Sequence, residues 1–226
     1  MSEECAACAA RLKGICGTLD DDALAQLSRI GRRRRLGAGE TLIWEGEDAP
    51  IVANLLSGIL KLSASTADGR EQIVGIAYPT DFIGRPFGAR AGYSAAALGE
   101  AELCLFGRRD FERFARVHPE LEHDLLVRAL GDLDRARGFM LLLGRKSASE
   151  RVATLLLDMA DRLPTAANMV DLPIGRQQMA DVLGLTIETV SRQLTRLKSA
   201  GVIALPSRRR LVINDLRDLQ AAAEAA

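Results

Sequence analysis

The sequence predicts an α+β chain in three parts: a small antiparallel β-roll, a long amphipathic helix and a C-terminal winged helix-turn-helix. Short apolar runs between Gly and Asp turns fill residues 35–106. An apolar heptad follows at 126–143, and the segment from Arg176 to Lys198 has helix-turn-helix spacing. The 226 residues suit one large domain or two modest ones. Hydrophobic residues at 48% and charged residues at 27% are ordinary globular values and exclude wholesale disorder. No apolar run approaches the ~20 residues that cross a bilayer. The first five residues lack a basic region leading into an apolar stretch, so no signal peptide is expected. The expected location is the cytoplasm, with no membrane partner.

Residues 1–18 carry Cys5, Cys8 and Cys16 and show neither helical nor strand periodicity, so they read as a cysteine-rich loop. Asp20, Asp21 and Asp22 open a short helix in which Ala23, Leu24, Leu27 and Ile30 recur at helical spacing. Acidic residues there suit the positive end of the helix dipole. Apolar runs at Leu42–Trp44, Ile51–Leu56, Ile59–Leu62, Ile73–Ala77 and Leu103–Phe106 then alternate with turns. Short strands at roughly 8–12-residue spacing read as a roll or barrel, and Asp68-Gly69 is a hairpin signal. The roll is expected to span 19–118.

Pro119 is placed to begin a helix over 119–144. Within it Leu126, Ala129, Leu133, Ala136, Met140 and Leu143 form a heptad seam at spacings of 3, 4, 3, 4 and 3. Gly131 and Gly138 lie on the opposite face. Close packing of that face on the roll would compensate their cost and free the seam for a partner helix, giving a parallel homodimer. Ser147 with Glu150 has the capping-box pattern, so another helix is expected over about 148–163 and another domain over 145–226.

Ala180, Gly184 and Val190 stand at offsets of four and six. A helix-turn-helix needs a small residue for close helix approach, a glycine at the turn and an apolar residue on the second helix. Thr186 is a natural N-cap for that helix. Its exposed face carries Glu188, Ser191 and Arg192. Glu accepts from cytosine N4, Arg forks onto guanine O6/N7 and Ser approaches base edges. Glu188 and Arg192 are i,i+4 neighbours expected to hold each other's rotamers. Arg176, Arg196 and Lys198 suit phosphates. A two-stranded wing with a basic tip at Arg208–Arg210 is expected next. The chain has zero net charge, yet residues 174–217 hold eight basic and three acidic residues. That asymmetry marks a dedicated polyanion-binding unit, and double-stranded DNA is the expected partner.

Cys104, between Leu103 and Leu105, is the fourth cysteine. Four thiolates from Cys5, Cys8, Cys16 and Cys104 suit a structural Zn site or an iron–sulfur cluster, and spacing leaves both open. A thioredoxin-like redox protein would need a strand before and a helix after Cys-x-x-Cys, and neither is present. No catalytic constellation is found, so an enzyme is not expected.

Taken together, the chain resembles the CRP/FNR superfamily of bacterial transcription regulators, and its FNR branch in particular. The resemblance rests on the cysteine set, on Glu102-Leu-Cys-Leu-Phe106, on the segment from Met140 to Arg151 and on Leu183-Gly-Leu-Thr-Ile-Glu-Thr-Val-Ser-Arg192. It implies a cyclic-nucleotide-binding-like roll. It further implies that Cys5, Cys8, Cys16 and Cys104 hold an oxygen-labile [4Fe–4S] cluster that favours the dimer. Glu188, Ser191 and Arg192 would then read TTGAT-type half-sites of a palindromic operator, mainly for activation of anaerobic or microaerobic genes. Relatives that sense cyclic nucleotides use Gly-Glu and Arg-Ser pairs where this chain has Gly84-Arg85 and Tyr93-Ser94, so no cyclic nucleotide is expected. By the same resemblance, residues around Arg85–Gly88 would touch RNA polymerase. His118 and His123 are candidate haem ligands, with a solvent or cap role preferred.

Overall fold

The structure, a computed structural model, describes all residues except 1–4, 6, 7, 9, 164, 167, 225 and 226. Part of the cysteine-rich segment therefore lies outside the described residues. The rest of it is not the irregular loop that its lack of periodicity suggests. It holds α1 (Ala10–Lys13) and a 3-10 turn (Ile15–Thr18). Each is a single turn, too short to show a period, and the fully buried Ile15 anchors them. Helix α2 (Asp21–Ile30) starts as expected: the Asp20 carboxylate accepts from the Ala23 N–H at 2.8 Å.

Strands β1 (Gly31–Leu36), β2 (Thr41–Ile43), β3 (Ile51–Ser57), β4 (Leu60–Ser65), β5 (Glu71–Ala77), β6 (Phe82–Ile83), β7 (Ser94–Ala97) and β8 (Ala101–Gly107) build the roll. They form two antiparallel sheets, ordered β1-β8-β3-β6 and β2-β7-β4-β5. The hairpin falls at Asp68-Gly69, where the Thr66 N–H donates to the Arg70 carbonyl at 3.0 Å. Strand β1 carries no apolar run. β1 reads Gly-Arg-Arg-Arg-Arg-Leu and lies at a sheet edge with its four arginines exposed; an edge tolerates such charge.

Side chains alternate across β3 and β8. Ala53, Leu55 and Leu103 enter the core between the sheets with Leu36, Leu60 and Ile83. Val52 and Phe106 face a second core built with Ile15, Leu27, Phe111 and Leu121, and Cys16 and Cys104 pack against it. Phe111 comes from α3 (Arg108–Ala115) and lies 5.7 Å from Phe106, ring centre to ring centre.

Gly58 joins β3 to β4 at φ +82°, and a Cβ there would sit 2.4 Å from the Glu100 carbonyl oxygen. Gly58→Ala combines left-handed strain with overpacking and is expected to cost about 2–4 kcal/mol. A lowered denaturant midpoint at constant slope is the readout; an unchanged midpoint contradicts it.

Helix α4 (Pro119–Arg145) begins at Pro119 as expected. It buries Leu121 and Leu142 but leaves Leu126 at 57%, Leu133 at 45% and Met140 at 73% exposure. Ala129 is exposed too, while Ala136 and Leu143 are half-buried. Val127, Leu130 and Leu141, also exposed, widen the stripe beyond the expected seam. The expected packing of the glycine face on the roll is not found. Among the described residues nothing lies within 4 Å of a Cβ at Gly138, and one at Gly131 meets the tip of Arg135 at 3.6 Å. The glycine face is open, so the seam's freedom does not depend on it.

By contacts the chain divides into two compact units, Met1–Ala136 and Arg137–Ala226. In the second, α5 (Ala148–Arg162) carries the expected capping box. The Ser147 N–H donates to Glu150 Oε2 at 2.7 Å, and the Glu150 N–H donates back to Ser147 Oγ at 3.4 Å. Helices α6 (Arg176–Leu183), α7 (Ile187–Ser199) and α8 (Leu216–Glu224) follow. The wing is a four-stranded sheet rather than two-stranded. Its order is β11 (Ile203–Ser207), β12 (Arg210–Ile213), β10 (Met169–Asp171) and β9 (Thr165–Ala166). The two added strands are too short to show alternation in the sequence.

Candidate functional site

Two sites carry chemistry. The first is the helix-turn-helix. Gly184 ends α6 in the left-handed conformation (φ 60°, ψ 41°), and its N–H donates to the Ala180 carbonyl. Ala180, Val182, Leu183, Val190 and Leu194 are buried between α6 and its neighbours. Thr186 caps α7 as expected, its hydroxyl accepting from the Thr189 N–H at 3.3 Å. Burial of Val190, Leu194 and Leu197 turns the opposite face of α7 outward. Glu188, Arg192, Arg196 and Lys198 are exposed there and Ser191 is half-buried.

The expected Glu188–Arg192 pair does not form. Arg192 donates to the Thr189 hydroxyl at 3.3 Å. Bonds from its own backbone N–H and from the Thr186 hydroxyl hold the Glu188 carboxyl below the usual carboxylate range. Local helix-start donors lie closer than the next turn. Arg176, exposed at the start of α6, reaches Ser191 Oγ at 3.5 Å. Arg209 donates to the Pro173 carbonyl at 2.6 Å and Arg210 pairs with Asp171 at 3.1 Å. Two of the three arginines of the expected basic tip, Arg209 and Arg210, therefore brace the sheet, and all three are exposed.

Arg151, to which the sequence reading gave no role, joins this unit to the end of α4. Its guanidinium donates to the carbonyls of Leu143 at 2.8 Å, Lys146 at 2.9 Å and Leu183 at 3.0 Å. One cation thus meets carbonyl ends of both α4 and α6, where the helix dipoles are negative.

The second site is the thiol centre. Cys104 in β8 pairs with Arg33 on one side and Asn54 on the other. Burial first, and then the neighbouring Cys104, Cys8 and Cys5, push the Cys16 thiol up to about 12, against the Asn54 hydrogen bond, which lowers it. Cys16 and Cys104, far apart in sequence, pack against one core, and Cys5 and Cys8 lie in the short segment that leads into Cys16. The Asn54 side-chain N–H donates to Cys16 Sγ at 3.6 Å. Among the described residues no three His, Cys, Asp or Glu side chains close to the spacing that holds a single ion. Without a cation the surroundings of Cys16 disfavour its thiolate, whereas a coordinated metal deprotonates its thiols outright. A four-thiol set beside an aromatic wall fits an all-cysteine iron–sulfur ligand set chemically.

Arg128 of α4 ties this segment to the long helix. It pairs with Asp124 at 2.6 Å and donates to the Lys13 carbonyl at 2.9 Å. Leu121 and Leu125 of the same helix pack into the core that holds Ile15.

In the roll, a cavity of about 230 Å³ is lined by Ile43, Ala49, Gly84, Arg85, Ala91, Gly92 and Tyr93. Tyr93 lines it, its hydroxyl oxygen accepting from the Gly84 N–H at 3.2 Å. The space is below the roughly 300–1,000 Å³ of usual ligand pockets. His118 donates its Nδ1–H to the Phe114 carbonyl at 2.8 Å and stacks on that ring, a cap role. Among the described residues no helix is long and apolar enough to cross a membrane.

A roll followed by a long helix and a winged helix-turn-helix defines a DNA-binding regulator, not an enzyme. Residues 33–118 match the cyclic nucleotide-binding domain family, and residues 150–222 match the Crp-like helix-turn-helix domain family. The chain is 41% identical to a probable transcriptional activator of Rhizobium leguminosarum bv. viciae, over 96% of this chain and 91% of that protein. It is 40% identical to the transcriptional activator protein FnrL of Cereibacter sphaeroides, over 95% of this chain and 90% of that protein. The structure of FixK2 from Bradyrhizobium japonicum matches with a TM-score of 0.81 at 34% identity, covering 87% of this chain and 99% of that one. The chain belongs to the CRP/FNR family of transcription regulators.

Proposed function

We propose that this regulator is an oxygen-responsive cytoplasmic homodimer, mainly an activator of anaerobic or microaerobic genes. The observation that carries the reading is the packing of Cys16 and Cys104 against one core, with Cys5 and Cys8 in the short segment that leads into Cys16. A [4Fe–4S] cluster on these thiolates supplies an oxygen-labile centre whose loss frees the amino-terminal segment. The chain's own residues pass that change on. Ile15 packs beside Leu121, and Arg128 grips the Lys13 carbonyl, so an ordered segment holds the first half of α4 in place. The stripe from Leu126 to Leu141 then meets the same stripe on a second copy, and the exposed apolar surface supports this pairing.

Two copies present two α7 helices to a two-fold symmetric operator. In each TTGAT-type half-site Glu188, Ser191 and Arg192 read base edges, while Arg176, Arg196 and Lys198 meet phosphates. RNA polymerase is the further partner, reached through the exposed Arg85 and Phe87. The small cavity that Tyr93 lines and the arginine, rather than an acid, at Arg85 support the reading that no cyclic nucleotide serves as effector.

Anaerobic purification with iron and sulfide analysis tests the reading. About four iron and four sulfide per chain are expected for this cluster type. Colourless protein holding one zinc per chain would replace the oxygen sensor with a structural metal site.

A further inference from the structure

Asn54 is fully buried in a strand, Ile51–Ser57, whose other inward positions are apolar. Alternation sends Ala53 and Leu55 into the roll core, and Val52 and Asn54 to the face that carries the cysteines. Its backbone neighbour across the sheet is Cys104, and its side-chain amide donates to Cys16 Sγ at 3.6 Å. Its other polar atom, Oδ1, is buried with no partner among the described residues. A fold that needed only packing there would be better served by leucine, because a buried acceptor without a donor is destabilising. The amide is retained at that cost, and the group it addresses is a sulfur.

We propose that Asn54 donates an N–H···S hydrogen bond to the Cys16 ligand sulfur and thereby slows loss of the cluster in air. The inference rests on the reading of the four cysteines as an iron–sulfur ligand set. One-electron oxidation of such a cluster by dioxygen, which would be reduced to superoxide, would begin its loss in air. Hydrogen bonds to cluster sulfurs are among the groups that set its potential. A donor on a ligand thiolate withdraws negative charge and makes that electron harder to remove. Asn54 is a positioning and tuning residue, not a ligand.

The test compares the full-length parent with Asn54→Leu and Asn54→Ser, all purified anaerobically. Iron and sulfide content is measured first, then the decay of visible absorbance after admission of air, then thermal unfolding of each apoprotein. Leucine fills the space without a donor, whereas serine leaves space but keeps one. The expected result is parent-level iron in all three and decay at least threefold faster for Asn54→Leu, with Asn54→Ser between it and the parent. The Asn54→Leu apoprotein should unfold no earlier than the parent. A packing role reverses the order, since serine opens a cavity. Equal decay rates, or faster decay for Asn54→Ser than for Asn54→Leu, overturn the role of Asn54 while leaving the cluster in place. Iron-free parent protein removes the cluster reading and this proposal with it. If Asn54→Leu yields no apoprotein melting transition, Asn54→Met takes its place under the same criteria.

Discussion

Arg192→Ala is expected to weaken operator binding at least tenfold while leaving the chain folded and paired. Arg192 projects from the exposed face of α7, and its one described side-chain bond is to the Thr189 hydroxyl. Its removal therefore costs little stability. A bidentate arginine–guanine contact is worth about 1–3 kcal/mol of discrimination, and a dimer on a palindrome loses one such contact in each half-site. The loss falls on specific binding. Affinity for a scrambled duplex, carried by Arg176, Arg196, Lys198 and other phosphate contacts, should change by less than about twofold, because those contacts carry no sequence information. Fluorescence anisotropy on an operator duplex and a scrambled one, at one salt concentration, separates the two. Equal losses on both duplexes would reassign Arg192 to the phosphates, and no loss would move the reading surface elsewhere.

Leu133→Asp is expected to leave a folded monomer that loads its metal and fails to hold the operator. Leu133 is 45% exposed in the single chain, at the middle of a stripe that runs from Leu126 to Leu141. Burying such a side chain against a partner is worth about 1.5–3 kcal/mol, and the symmetric interface counts it twice. Aspartate removes that gain and sets two carboxylates facing each other. Because the wild-type residue already meets water in the isolated chain, folding of each unit should be unaffected. Sedimentation should show a single subunit at concentrations where the parent sediments as a pair. Operator binding should fall by more than 100-fold, with iron content unchanged. A variant that remains dimeric would place the interface on another surface.

How much of this was legible in the sequence depends on how local the signal is. The helix-turn-helix was readable because Ala180, Gly184 and Val190 act over ten residues, and the left-handed backbone at Gly184 is a demand that one residue type meets. The capping box at Ser147 is equally local. Strand β1 was hidden because an edge strand needs no apolar face, so four arginines masked it. Exposed apolar side chains do run along the heptad, and the stripe they form is wider than it. Val127, Leu130 and Leu141 were missed because a strict heptad omits them. The packing assigned to Gly131 and Gly138 was wrong, since helical glycines do not reveal what, if anything, covers them.

At the sites, residue types were easier to read than partners. Glu188 and Arg192 stand on the exposed face as expected, yet each bonds to a nearer threonine. Arg151 and Arg128 escaped notice because each acts on backbone carbonyls of distant residues; Arg128 and Lys13 are 115 positions apart. Asn54 sat inside what read as an apolar run. Its signal, a polar side chain at an inward-facing strand position, becomes visible only once the register with Cys104 is known.

The most direct test follows operator binding before and after admission of air, for the parent and for a variant combining Cys5→Ser, Cys8→Ser, Cys16→Ser and Cys104→Ser. The parent should bind tightly without oxygen and release the operator in air. The variant should hold no iron and bind with the same weak affinity in both atmospheres. A serine variant that still tightened anaerobically and released in air would show that the signal enters elsewhere.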